Sequence, residues 1–195
     1  MKHLIVYCHP NPESFNNAIV DAFTGALKQQ GHEVVVRDLY AIKFDPVLSA
    51  SDFKALREGN IPADIQSEQD HVKWADAITM VYPVWWTGLP ALIKGYIDRV
   101  FSYGFAYAYG EDGNISKLLA GRKGFIINTH GTPSEIYSNI GMHEGLKITS
   151  DTGIYDFSGI EPVGHLFFGS VNQIDDAARG KMLEEVKEKA ASLFL

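Results

Sequence analysis

Short apolar runs and amphipathic stretches alternate along the whole chain. Apolar runs of strand length predict five buried strands, at residues 4–8, 34–36, 77–82, 124–128 and 163–168. Apolar positions at helical spacing predict helices between and after these strands, at residues 16–30, 51–57 with 66–74, 90–101, 136–148 and 175–194. This alternation of strands and helices predicts βαβ units and therefore an α/β protein built on a parallel sheet.

Five strands joined by right-handed crossovers fit a parallel sheet of order 2-1-3-4-5 with helices on both faces. This order has a topological switch point beside strand 1, where ligands bind at the carboxyl ends of the strands. We therefore expect the loops after strands 1, 3 and 4 to form one site. The chain has 195 residues and no repeat or linker, so we predict a single domain over 1–195. The irregular stretch 40–64 is predicted to fold over an edge.

The loop after the first strand carries polar side chains into the start of a helix. From His9 to Asn16 it contains no glycine, lysine or arginine, so neither glycine-rich nucleotide motif is present. A phosphate here would be held by hydroxyl, amide and backbone N–H groups at a helix N-terminus. The alternative is an ordinary strand-to-helix turn with Ser14 as its N-cap. The candidate binding residues are His9, Ser14, Phe15 and Asn16.

The loop after the third strand places two adjacent tryptophans before a helix. Prolines stiffen both of its ends, and Gly88 lets its backbone approach another group closely. The tryptophans favour a planar ligand, and hydrophobic capping of the helix is the alternative. The candidate residues are Pro83, Val84, Trp85, Trp86 and Thr87.

The loop after the fourth strand begins with Thr129, His130, Gly131 and Thr132 and continues to a tyrosine and a histidine. Tyr137 and His143 do not share a helix face, so a turn at Gly141 must bring them together. A paired tyrosine and histidine can exchange protons near neutral pH, although each residue alone is more typical of a structural role.

A further aromatic segment follows the helix predicted at 90–101. Phe105, Tyr107 and Tyr109 alternate with alanines, so they lie on one side of an extended chain. This pattern fits a short strand that packs on the core, and it also fits an aromatic lid or a dimer contact.

Composition and charge narrow the function. The net charge is −7 and the sequence pI about 5.4, without a Lys/Arg cluster, so we expect no nucleic-acid partner. Cys8 is the only cysteine and ends an apolar run, which predicts a small core residue and a cytoplasmic location. We expect no signal peptide and no membrane insertion. The histidine spacing predicts no metal site.

Taken together, these motifs resemble the flavodoxin-like NAD(P)H:quinone oxidoreductase family, which includes mammalian quinone reductase, bacterial drug-activity modulators and potassium-efflux ancillary reductases. The residues that match the family's phosphate loop are His9, Ser14, Phe15 and Asn16, and those that match its isoalloxazine loop are Pro83, Trp86, Gly88 and Pro90. Residues 104–109 match the aromatic segment that borders its substrate pocket. The third loop is matched by Thr129, Gly131, Tyr137, Gly141 and His143. Four motifs in the right order make the resemblance specific.

The chain departs from the mammalian members at three places. Residues 129–132 are Thr-His-Gly-Thr where those enzymes carry Thr-Thr-Gly-Gly, which alters contacts around the polar edge of the flavin. Trp85 stands where they have glutamine. The chain lacks their C-terminal extension, and shorter relatives often hold FMN, so we expect FMN, with FAD as the alternative.

The resemblance implies a flavodoxin-like three-layer sandwich with a non-covalent flavin, reduced by NADPH or NADH and reoxidised by a quinone-like acceptor, a nitroarene or an azo dye. Tyr137 and His143 would stabilise charge and relay a proton, and the residues bordering the substrate would be Tyr107, Tyr109, Trp86 and His143. Because no second nucleotide motif is visible, donor and acceptor would use one pocket in turn, in a ping-pong scheme. A homodimer with shared active sites is also implied.

Two other functions are compatible with the same motifs. One is a one-electron flavodoxin carrier, which the modest charge and the Tyr137/His143 pair disfavour. The other is a flavin-binding regulatory subunit of a potassium-efflux antiporter, which nothing in the sequence excludes.

Overall fold

The computed structural model describes residues 1–194. The strands are β1 (Lys2–Tyr7), β2 (Glu33–Asp38), β3 (Ala77–Pro83), β4 (Tyr107–Tyr109), β5 (Ile115–Lys117), β6 (Lys123–Thr129) and β7 (Glu161–Phe168). The α-helices are α1 (Phe15–Gln29), α2 (Ala50–Arg57), α3 (Ala63–Trp74), α4 (Ala91–Val100), α5 (Ser134–Asn139), α6 (Met142–Lys147) and α7 (Asp176–Leu193). A π-helix at Ile148–Asp156 follows α6 directly.

The main sheet has five parallel strands in the order β2-β1-β3-β6-β7. Numbered among themselves, these strands follow the predicted order 2-1-3-4-5, so the α/β class and the sheet topology are confirmed. All five carboxyl ends lie at one edge of the sheet because the strands are parallel. The loops after β1, β3 and β6 leave this edge side by side.

Each face of the sheet has its own hydrophobic core, because side chains alternate along every strand. On β1, Leu4 and Val6 pack with α3, α4 and the π-helix, whereas Ile5 and Tyr7 pack with α1 and α7. Cys8 is buried in the first of these cores, as predicted, and burial raises the pKa of its thiol to about 12. Two covered faces give the three-layer sandwich.

The single helix predicted at 136–148 is wrong. The structure has two short helices there, separated at Gly141, which adopts φ 74° in the left-handed region. Glycine reaches this conformation without a Cβ clash, and the chain therefore turns at Gly141, as the sequence required. The second helix then continues as the π-helix to Asp156, which the apolar pattern did not predict.

The aromatic segment forms a hairpin outside the main sheet. Strands β4 and β5 pair antiparallel, with Tyr107 opposite Lys117, so the short-strand interpretation of the segment is confirmed for Tyr107–Tyr109. The irregular stretch 40–64 contains α2 and is tied to α4 by Arg99, which is buried and bonds to Asp52 and Asp64. Within residues 1–194, no helix is both long and apolar enough to cross a membrane.

Candidate functional site

A cleft of about 310 Å³ opens at the carboxyl edge of the main sheet. It is lined by three residues or more from each of the loops after β1, β3 and β6, and by two from the loop after β7: His9, Asn11, Ser14, Phe15, Asn16, Pro83, Val84, Trp85, Thr129, His130, Gly131, Val171 and Asn172. Its volume lies at the lower end of the range typical of small-molecule sites. The three loops expected to meet at the switch point do meet.

Ser14 is the N-cap of α1. Its Oγ accepts a hydrogen bond from the backbone N–H of Asn17 at 3.2 Å and lies 3.1 Å from the Tyr7 hydroxyl. The N-cap interpretation of this serine is therefore confirmed. The first-turn amides of α1 point toward the cleft end of the helix, where they and the helix dipole favour an anion.

Asn16 is the buried polar residue of this loop. Its side chain is 3% exposed, and its Nδ2 donates to Thr129 Oγ1 at 2.8 Å, joining the loops after β1 and β6. Its Oδ1 is buried without a hydrogen-bond partner inside the described chain. Since buried polar atoms are almost always paired, this oxygen marks a position where a ligand donor would fit.

The loop after β3 folds back in a tight turn. Trp85 and Gly88 exchange backbone hydrogen bonds at 3.2 and 3.1 Å, and both central residues have positive φ, 50° for Trp86 and 57° for Thr87. Bulky and β-branched side chains rarely adopt this conformation, so the turn stores strain. Trp85 lines the cleft, while Trp86 is fully exposed at the tip.

The loop after β6 and the two helices after it bring three rings together. The His130 ring stacks on Tyr137 with centroids 4.4 Å apart, and His130 Nε2 lies 3.2 Å from His143 Nε2. Tyr137 and His143 meet edge to face at 5.9 Å between centroids. The turn at Gly141 thus brings the predicted pair together, with His130 in contact with both.

The surroundings of both histidines favour the neutral ring. Burial lowers the pKa of His130, and the neighbouring His143 lowers it further, while the bond to the Thr132 carbonyl opposes this. Burial also lowers the pKa of His143, with contributions from His165 and Lys147. In the neutral form each ring keeps one basic nitrogen that can accept a hydrogen bond or a proton.

The predicted site residues divide into two groups. Ten of them line the cleft: His9, Ser14, Phe15, Asn16, Pro83, Val84, Trp85, Thr129, His130 and Gly131. The others lie outside its lining: Trp86, Thr87, Thr132, Tyr137, His143, Tyr107 and Tyr109. Tyr107 packs instead against Phe157, with ring centroids 5.2 Å apart, and Tyr109 is exposed on the hairpin.

Three lining residues were missed from the sequence: Asn11 in the loop after β1, and Val171 and Asn172 in the loop after β7. The loop is held to the preceding one by the Ser170 N–H, which donates to the Thr132 carbonyl at 3.2 Å. The available signal was the polar residues after the fifth predicted strand, whose carboxyl end lies at the same sheet edge. Within residues 1–194 no cluster of three or more His, Cys, Asp or Glu side chains is arranged to hold a metal ion.

Comparison with known proteins adds four findings. Over residues 1–190 the sequence matches the protein family described as having a flavodoxin-like fold. A Haemophilus influenzae relative named "Uncharacterized NAD(P)H oxidoreductase" is 40% identical over 190 residues, 97% of this chain and 94% of the relative. The rat NAD(P)H dehydrogenase [quinone] 1 is 30% identical over 211 residues, 98% of this chain and 77% of the rat protein. The solved structure of the NAD(P)H:quinone oxidoreductase from Methanothermobacter marburgensis superposes with a TM-score of 0.86 at 29% identity, covering 99% of this chain and 98% of that protein.

Proposed function

The chain belongs to the flavodoxin-like family of NAD(P)H oxidoreductases, and we propose that it reduces quinones with NAD(P)H by means of a non-covalently bound flavin. The observation that supports flavin binding is the cleft at the switch point of the sheet, which is lined by both the buried Asn16 and Trp85. NADPH and NADH are the proposed donors, and quinones, with nitroarenes and azo dyes, are the proposed acceptors. The functional unit is a single domain over 1–195.

The residues of the cleft fit a flavin mononucleotide. A phosphate needs donors, and the loop after β1 offers the first-turn amides of α1 and the side chains of His9 and Ser14. Asn16 has an unpartnered oxygen for a donor of the ligand. Pro83, Val84 and Trp85 supply an apolar wall for a planar ring. FMN is the preferred flavin, with FAD as the alternative.

A bound flavin would supply the hydride chemistry, accepting a hydride from NAD(P)H and passing it to the acceptor. The residues of the chain bind it, orient it and manage the charge that hydride transfer creates. The N–H groups of Val84, Trp85 and His130 bond to carbonyls of the chain, so Gly131 is the cleft-lining residue of these two loops whose backbone N–H would stabilise negative charge in the cleft. Tyr137 and His143 are the proposed charge-stabilising and proton-carrying groups, and their contact through His130 permits them to act together.

Donor and acceptor are proposed to use the same cleft in turn. The loops of the carboxyl edge form one cleft among the residues that the structure describes, and a flavin base would occupy most of its depth. Each substrate would then stack on the flavin from the open side and leave before the next one binds. This is a ping-pong scheme.

We propose a homodimer in which a second copy completes the substrate pocket. Trp86 and Tyr109 are exposed aromatic residues, and Tyr103 stacks beside Tyr109 at 5.9 Å to form an exposed aromatic surface on the hairpin. Such surfaces mark interaction sites. Since Tyr107 and Tyr109 lie outside the cleft of their own chain, they would border the acceptor of the partner chain.

The test is the small molecule released from the purified protein, together with its turnover. Mass spectrometry of the supernatant after heat denaturation should identify FMN at about one per chain. Oxidation of NADPH or NADH should then depend on an added quinone. A protein that releases no flavin, binds neither FMN nor FAD when they are added and oxidises no donor would overturn the proposal.

A further inference from the structure

The ring of His130 has a defined tautomer. Its Nδ1 lies 2.8 Å from the backbone carbonyl of Thr132. A carbonyl oxygen can only accept a hydrogen bond, so Nδ1 carries the proton. In the neutral ring, Nε2 therefore has a lone pair and no hydrogen, and it is an acceptor.

This tautomer determines that of His143. The His143 Nε2 lies 3.2 Å from the His130 Nε2, and two lone pairs cannot face each other at that distance. His143 must therefore donate its Nε2–H to His130. In neutral His143 the basic nitrogen is then Nδ1, the atom that would take up a proton.

Stacking holds both rings in this arrangement. His130 lies on Tyr137 with an interplanar angle of 16°, and His143 lies on Phe167 at 4.2 Å and 17°. Phe167 in turn stacks on His165, whose ring bonds to Asp151 and Asn128. Each of the two rings is thus stacked on one aromatic neighbour, so neither can turn away without breaking that stack.

We propose that His130 is a positioning residue for His143, fixing Nδ1 as its proton-accepting atom and limiting the two histidines to one shared proton. This inference rests on the proposed function, in which His143 carries a proton during hydride transfer. The first proton on His143 Nδ1 strengthens the Nε2–H···Nε2 bond, because the donor becomes cationic. A second proton, on His130, would place two cations 3.2 Å apart and is disfavoured.

The titratable groups around His130 and His143 do not change this assignment. Burial lowers the pKa of His143 most, and His165 on β7 and Lys147 on α6 lower it further. The carboxylate of Asp151 on the π-helix faces His165, whose own pKa is lowered by burial. Burial and these neighbours therefore favour the neutral form of His143.

The experiment is ¹⁵N NMR of the imidazole rings in the purified protein as isolated. At pH 7.5 the chemical shifts should show a protonated Nδ1 on His130 and a protonated Nε2 on His143. In His130→Phe, which keeps a ring on Tyr137 but removes the acceptor, His143 should lose this single tautomer and its pKa should fall by about one unit, since a cation loses its hydrogen-bond acceptor. His130→Gln, with a carbonyl oxygen as acceptor, should restore part of the shift.

His71→Phe, on α3 and outside the cleft, is the matched control and should leave the His143 spectrum unchanged. In the same variants, the pH profile of flavin reduction by NAD(P)H should move with the His143 titration. The opposite tautomer of His143 in a protein that turns over, or an unshifted titration in His130→Phe, would overturn this inference alone. Predicted tautomers in a protein without flavin or turnover would instead overturn the proposed function, and with it the role of His130 in the reaction.

Discussion

At the scale of single residues, the flavin proposal depends most on Asn16 and its side-chain oxygen. Asn16 donates from its Nδ2 to Thr129, and its Oδ1 is buried and unpartnered in the described chain, so the side chain of this cleft-lining residue is held in place with one unused acceptor. The residue is better suited to binding a ligand than to stabilising the fold, since half of its hydrogen-bonding capacity goes unused without one.

We predict that Asn16→Ala weakens flavin binding by roughly two- to tenfold. The loss corresponds to a hydrogen bond between two neutral groups, the Asn16 side-chain oxygen and an N–H or O–H donor of the flavin, which is worth about 0.5–1.5 kcal/mol. Equilibrium titration of the flavin-free protein with FMN, followed by fluorescence, measures it. Asn17→Ala is the control, because Asn17 bonds to Asp21 on the surface of the same helix. Equal affinities for Asn16→Ala and the parent protein would show that the ligand lies elsewhere.

Ser14 cannot serve as an equally direct test. As the N-cap of α1 it stabilises the helix, and its replacement by alanine would cost about 1 kcal/mol of stability whatever it does for a ligand. Any loss of flavin from such a variant would include this effect.

His3 is a buried histidine at the opposite edge of the sheet. It is fully buried between the rings of His32 and Phe194, and neither of its ring nitrogens has a hydrogen-bond partner in the described chain. Burial, followed by the charges of His32 and the N-terminal amine, lowers its pKa from 6.5 to about 4. The folded state therefore favours the neutral ring.

A lowered pKa of a base gives a defined pH dependence. Above pH 6.5 the His3 ring is neutral in both the folded and the unfolded state and adds no pH dependence to the stability. Below pH 6.5 the unfolded state binds the proton first. We predict that the free energy of unfolding falls between pH 6.5 and about 4, by roughly 3 kcal/mol in total from this residue. Urea unfolding of the parent protein and His3→Leu across this range isolates the effect by difference. Parallel curves for the two proteins would contradict the assignment.

At the scale of the element, the turn at residues 85–88 is strained. Positive φ at Trp86 and Thr87 costs free energy in the absence of ligand, and strain of this kind is typical of functional sites. The sequence indicated a turn by Gly88, yet Gly88 is not the residue in the left-handed region. The position of the strained residues depends on the backbone pairing of Trp85 with Gly88, and local residue preferences do not predict this pairing.

We predict that Thr87→Gly stabilises the protein by about 1 kcal/mol, since glycine adopts φ near 57° without the clash of a β-branched side chain. Chemical denaturation measures the change. Thr152→Gly, at an exposed position of the π-helix, is the control and should be destabilising, because there glycine brings only its entropic cost. Loss of stability in both variants would exclude strain at Thr87.

Helix α4 approaches the irregular segment at a glycine. A Cβ added to Gly95 would lie 2.2 Å from the carbonyl oxygen of Pro46, so the close approach requires glycine. The same segment is fastened by the buried Arg99, whose guanidinium bonds to Asp52, Asp64 and the carbonyl of Asp45. The segment thus packs closely on α4 at Gly95 and is tied to it by Arg99.

We predict that Gly95→Ala destabilises the protein by about 1–3 kcal/mol, the usual cost of overpacking, despite the better helix propensity of alanine. Gly180→Ala is the matched control. Gly180 also lies in a helix, α7, but a Cβ there meets nothing within 4 Å, so the substitution should stabilise by roughly 0.5–1 kcal/mol. Thermal and urea unfolding of the two variants should differ in sign. A stabilised Gly95→Ala would contradict the described packing.

At the scale of the whole molecule, the sheet was predictable and parts of the site were not. The apolar runs predicted all five strands of the main sheet because parallel strands buried on both faces are apolar throughout. The switch point then predicted which loops would meet. The role of His130 as the contact between Tyr137 and His143 depends on packing between α5, α6 and β7, which periodicity does not encode. The π-helix and Asn172 were missed for the same reason.

The assembly proposal also belongs to this scale. Tyr107 and Tyr109 matched a substrate-bordering motif, yet the structure places them on a hairpin outside the cleft. In the proposed homodimer, a second copy of the chain would place these tyrosines at the cleft of its partner. Binding pockets are often formed between domains or chains, and the exposed Trp86 is an aromatic side chain on which such a copy would dock.

The central claim is that one cleft holds a flavin that NAD(P)H reduces and a quinone reoxidises. Anaerobic single-turnover mixing of the purified protein tests it most directly, with the visible flavin absorbance as the signal. The account predicts that NADPH or NADH alone bleaches the absorbance, and that one equivalent of quinone, added after the oxidised donor has left, restores it fully. A protein without flavin absorbance, or one whose donor is oxidised only when quinone is bound at the same time, would contradict the account.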